Sequence, residues 1–134
     1  MQHEIAVDAW LERAQAPTTP AAVRLRLFEE AMTALWCRSE LTLGPITLAA
    51  IFDRVLFTCA ANHPAIFEGV RADGAGGADY SALHQRLDAV PPADLAAAVR
   101  FALIEFLSVI GNLTAEILTP ALHETLADVG NKDA

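Results

Sequence analysis

Residues 92–118 read PADLAAAVRFALIEFLSVIGNLTAEIL, and this stretch decides the fold. Its apolar positions follow helical spacing rather than strict alternation. Leu95, Val99, Leu103, Ile104, Phe106, Leu107, Val109, Ile110, Leu113 and Ile117 cover nearly the whole circumference. Glu105, Ser108, Asn112 and Glu116 gather within an arc of about 80° at 3.6 residues per turn, and nearly everything else is apolar. A helix apolar on most sides must be surrounded by others. Pro91-Pro92 opens it, and Thr119-Pro120 restarts the chain as another helix. Gly111 disfavours a helix by about 1 kcal/mol relative to Ala, and is expected to mark a close helix crossing.

Outward from this segment, residues 45–62 form the second apolar helix. It starts at Gly44-Pro45 and stops before His63-Pro64, because the residue preceding a proline is pushed out of the helical region. Leu48, Ile51, Phe52, Val55, Leu56 and Cys59 fill one side, and Ile46 and Phe57 fall on another. Thr47, Arg54 and Thr58 leave only a thin polar strip, so this helix too is expected at the centre. Shorter helices are expected over 4–14, 20–38, 81–89 and 119–129. Thr19 and Pro20 serve as N-cap and first residue of the second, and Arg24, Arg26, Glu29, Glu30 and Arg38 lie on its outer face. Between 64 and 78 the pattern fails, and the glycines at 74, 76 and 77 read as a loop. A polar, disordered tail is expected at 131–134. The fold class is all-α, a compact bundle of five to six helices in a single domain over 1–134, with two central apolar helices.

The totals remove several functions. Seventeen acidic residues against nine basic ones give a net charge of −8, a sign that repels nucleic-acid backbones and anionic membrane surfaces. The strongest apolar window contains Glu105 and Glu116, and a central carboxylate costs about 2.5–3.5 kcal/mol on insertion scales, so no membrane span is expected. Cys37 and Cys59 form no CxxC pair, and the opening MQHEIAVDAW lacks the basic and apolar regions of a signal peptide. Both thiols are expected to be buried in a protein of the reducing cytoplasm.

Candidate chemistry is sparse. No His-x-x-x-His, His-Glu-x-x-His or Glu-x-x-His spacing is present, so no metal ligand set is expected, and no cofactor. Ser39, Ser81 and Ser108 sit on no strand-to-helix elbow, and no catalytic constellation can be assembled. His3 is expected in solvent, His63 at a helix end, His84 facing water and His123 next to Leu122 in the last helix; the last three are the candidate ligand or phosphoacceptor positions. As an alternative function, an apolar small molecule or haem would bind between the two central helices, with one of these histidines as axial ligand.

Residues 104–123, IEFLSVIGNLTAEILTPALH, resemble a helical segment of bacterial and archaeal signalling proteins that accompanies sensor histidine kinases. The resemblance spans about residues 48–129 and includes the His63-Pro64 turn. It implies a non-catalytic helical module that senses or transmits, and it assigns no functional residue.

Two nearly all-round apolar helices exceed what four shorter helices can cover. Self-association, or contact with another protein, is therefore expected through 46–62 and 92–118, with a homodimer as the simplest form. Glu105, Ser108, Asn112 and Glu116 would make a polar seam that fixes its register, with Arg54 or Arg100 neutralising the carboxylates.

Overall fold

The computed structural model describes residues 2–16, 18–73 and 77–130. The tail expected at 131–134 and most of the glycine-rich stretch lie outside the described residues. The chain runs through α1 (Gln2–Ala14), α2 (Ala21–Leu43), α3 (Pro45–Asn62), α4 (Pro64–Phe67), β1 (Arg71–Ala72), β2 (Ala78–Asp79), α5 (Ser81–Arg86), a 3-10 turn (Leu87–Ala89), α6 (Pro92–Leu113) and α7 (Thr119–Asp128). The all-α class holds, with seven helices among the described residues.

Local chemistry explains the boundaries. α2 continues past the expected end at Arg38 because nothing breaks it before Gly44, whose φ of 80° suits a residue without Cβ. Pro45 then starts α3 at once. Thr19 does not cap α2: Pro20 holds the cap position, and no side chain closes it. The segment 64–78 is more ordered than expected. Arg86 donates to the carbonyls of Ala65, Ile66 and Glu68 at 2.9, 2.6 and 2.6 Å, which satisfies the open end of α4. β1 and β2 close an antiparallel ladder with Arg71 opposite Asp79.

α6 is the centre. It packs against α1, α2, α3, α4 and α7, and buries Leu95, Ala98, Val99, Ala102, Leu103, Phe106, Leu107 and Ile110. Three rings link it sideways: Trp36 of α2, Phe52 of α3 and Phe106 of α6 stand edge to face with centroids 5.2 and 5.9 Å apart. Trp10 and Arg13 of α1 donate to the carbonyls of Val129 and Ala127, which ties the first helix to the end of the last.

Three expectations fail here. α3 is not central: it buries the stripe of Leu48, Phe52, Val55, Leu56 and Cys59, and only 28% of it is inside. Arg24 and Cys37 exchange the places expected of them, the arginine being 3% exposed and the thiol facing out.

The third concerns α6, which stops at Leu113 rather than at 118. Ala115 and Glu116 take φ of 52° and 64°, a conformation that costs an ordinary residue about 1–2 kcal/mol. Local bonds offset this cost. Glu116 N–H donates to Gly111 O at 2.7 Å, and Thr119 Oγ1 donates to Glu116 Oε1 at 2.5 Å. The carboxylate folds over Gly111, where a Cβ would stand 2.7 Å from Glu116 Oε1. Gly111 therefore makes room for Glu116, not for a neighbouring helix.

This geometry predicts non-additivity. Gly111→Ala should fail to deliver the gain of about 1 kcal/mol that a helical position normally returns. In a Glu116→Ala background the gain should reappear. Urea denaturation of the four-member set reads the difference, and strictly additive values would contradict the clash.

Candidate functional site

At 100° per residue, the outward side of α3 carries Ile46, Phe57, Ala50 and Ala61 within an arc of about 60°. All four are exposed, Ile46 at 86% and Phe57 at 76%. Asp53 borders this stripe on one side and Arg54 on the other; neither forms an ion pair among the described residues. On the Arg54 side a groove of about 460 Å³ separates α3 from α6, floored by Ile51, Val55 and Val109, with Leu113 at its rim, 59% exposed. On the Asp53 side, Phe57 shares a smaller depression with Glu68 and Arg71.

The expected polar seam is only partly assembled. Glu105, Ser108 and Asn112 keep to one side of α6, and Glu105 and Asn112 line the groove with Arg54 and Thr58. Glu116 leaves the seam because the helix has already ended. Arg54 lies beside Glu105 without an ion pair. Arg100 is committed elsewhere: it grips Asp8 of α1 at 2.8 and 3.3 Å, and that guanidinium holds the Asp8 carboxyl below its usual range. Beneath the groove, burial and then the Glu105 charge push the Cys59 thiol up to about 12, so it stays protonated and unreactive.

His63 stands at the end of α3 and His84 is exposed, both as expected, whereas His3 is drawn out of solvent. The His63 ring lies against Phe101, centroids 5.2 Å apart, beside a groove of about 350 Å³ that also holds Glu4, Arg100 and Glu105. His84 is paired with Glu29 at 2.7 Å, joining α5 to α2. His123 shares a hydrogen bond of 2.9 Å with His3, whose side chain is only 14% exposed and whose other nitrogen lies 3.7 Å from Glu116 Oε1. This Glu116–His3–His123 row went unseen because its members come from opposite ends of the chain. Glu116 and His123 address different nitrogens of His3, so the three do not converge on one point. Among the described residues no group of three His, Cys, Asp or Glu side chains is arranged to hold a metal ion.

Burial, followed by the charge of His3, lowers the His123 pKa, and Glu116 opposes the shift only in part. The fold thus prefers neutral His123. As pH falls through the ordinary histidine value of about 6.5, the unfolded chain gains a proton that the fold resists, and stability drops. Thermal midpoints should fall between pH 7.5 and 5.5, and His123→Gln should flatten that slope. A midpoint constant over the range, or an equal slope in the variant, would contradict the assignment.

No protein-family model matches this chain, and no similar curated protein or solved structure was found.

Proposed function

We propose that this chain is a non-catalytic helical interaction module that pairs with a second copy of itself through the outward stripe of α3 and the adjoining edge of α6. The observation that carries this reading is the row Ile46, Ala50, Phe57 and Ala61, unscreened by any other element among the described residues and continued by Leu113. Burying an exposed Phe or Ile side chain contributes about 1.5–3 kcal/mol, and a symmetric pair buries each of them twice. With a net charge of −8, the molecule is kept from indiscriminate association, while the stripe itself is uncharged between its flanks at Asp53 and Arg54.

Two free cysteines, one of them exposed, suit a reducing cytoplasm. The resemblance of residues 104–123 to helices that accompany sensor kinases supports an accessory role in signalling. α3 is long and apolar enough to cross a membrane, with a mean hydropathy of 1.2. Asp53 and Arg54 at its middle disfavour that use, since a charge at mid-helix costs about 2.5–3.5 kcal/mol on insertion scales.

Size-exclusion chromatography with light scattering tests the proposal. The expected mass is twice 14.3 kDa, falling to 14.3 kDa in Phe57→Glu with helical circular dichroism unchanged. A strict monomer at high concentration, a dimer that survives Ile46→Glu with Phe57→Glu, or a monomer that floats with phosphatidylcholine vesicles would overturn it.

A further inference from the structure

We infer that the contact between His3 and His123 is a proton-operated latch on the first turn of α1, closed while the two rings share a single proton between their facing nitrogens and open once each ring carries its own. The device does not depend on what covers α3.

The closed state follows from hydrogen-bond valence. His3 Nδ1 and His123 Nε2 lie 2.9 Å apart, and the rings stand at 89° to each other with centroids 5.1 Å apart. One of these nitrogens donates and the other accepts, so a single N–H fills the contact. A first added proton is accommodated on His3. Its Nδ1–H then donates to His123, and its Nε2–H faces the Glu116 carboxylate at 3.7 Å. Thr119 Oγ1 donates to the same carboxylate and keeps it in place. A second added proton removes the last lone pair between the rings, and two N–H groups then confront each other.

The position of His3 makes this contact decisive for its turn. None of residues 2–6 is buried, and Val7 is the first core residue of α1. Asp8 to Arg100, Trp10 to Val129 and Arg13 to Ala127 anchor the helix further along. A cation near the start of a helix also opposes its dipole, so the doubly charged pair loosens the turn it had held. Opening at this end is local and leaves the core helices packed. Glu4, in the same turn, walls the groove lined by His63, Ala97, Phe101 and Ile104, so the latch moves one wall of that groove.

The charged groups around the pair set the direction of the response. Burial and then the charge of His3 keep the His123 pKa below its usual value, against Glu116 from the turn before α7. Arg100 of α6 is turned to Asp8 and Glu4, and Glu124 and Asp128 of α7 are exposed. Once released, His123 takes up its proton near the ordinary value of about 6.5, so the open turn carries a proton that the closed latch refuses. Opening therefore grows as pH falls, by up to about tenfold between pH 7.5 and 5.5.

Amide hydrogen exchange followed by NMR tests the latch. The Ala6 and Val7 N–H groups donate to first-turn carbonyls, and their exchange, corrected for the intrinsic rate at each pH, reads the opening. Their protection should fall about tenfold from pH 7.5 to 5.5, while staying below that of Leu103 and Leu107 in α6 at both values. In His123→Gln, which keeps a hydrogen-bonding group and takes no charge, protection at Ala6 and Val7 should be the same at both values. Unchanged wild-type protection, or an equal fall in the variant, would overturn the latch. So would Ala6 and Val7 matching the α6 amides, since the first turn would then open only with the whole fold. The wild-type comparison decides the matter even where the variant fails to fold.

Discussion

The edge of the Phe52 ring, held between Trp36 and Phe106, fixes the rotation of α3. A helix is a rigid rotor, so choosing the inward side chooses the outward one. With Leu48, Phe52, Val55, Leu56 and Cys59 turned toward α6, the stripe of Ile46, Ala50, Phe57 and Ala61 has nowhere to point except away from the core. The exposed surface is a consequence of a well-made interior, not a packing defect. Phe106 in turn depends on α6 being wrapped from several sides, which the short helices accomplish for α6 but not for α3.

What was legible follows from the kind of signal each residue carries. Proline next to glycine or histidine is a local, steric mark, and Gly44-Pro45 and His63-Pro64 delimit α3 where the sequence places it. Thr119-Pro120 does the same for α7. Periodicity identified α6 as the central rod because its polar positions are few. The same reasoning misplaced α3, since a helix apolar on two sides does not say which side its neighbours will take. The early end of α6 was hidden for a different reason. Ala115 and Glu116 hold a backbone conformation usually marked by glycine, and the glycine that permits it stands at 111, five residues before the carboxylate it accommodates. Arg24 entered the interior although its charge argued for the surface, and Gln15 bonds to its carbonyl rather than to the guanidinium.

The candidate site was legible in outline only. That apolar helix surface would exceed its cover could be read from composition and spacing, and Arg54, Glu105 and Asn112 do meet along one groove. The pairings of Arg100 with Asp8, His84 with Glu29 and His123 with His3 join residues 92, 55 and 120 positions apart, and no pattern within a window can reveal them. These contacts hold α1, α5 and α7 in place and take up polar side chains that a site would otherwise have offered. Among the described residues, Ile46 and Phe57 stay exposed together on α3, while Ile5, Leu41 and Ile117 are exposed on other parts of the chain.

The most direct measurement of the account is hydroxyl-radical footprinting of the wild-type chain at concentrations where the proposed pair forms. Phe57 should react far more slowly than its 76% exposure in a single copy demands, while Ile5 on α1, 69% exposed and away from the stripe, reacts at the full rate. Rates at Phe57 and Ile5 that, each normalised to its side chain's intrinsic reactivity, simply follow their exposure would contradict the claim that a second copy covers α3.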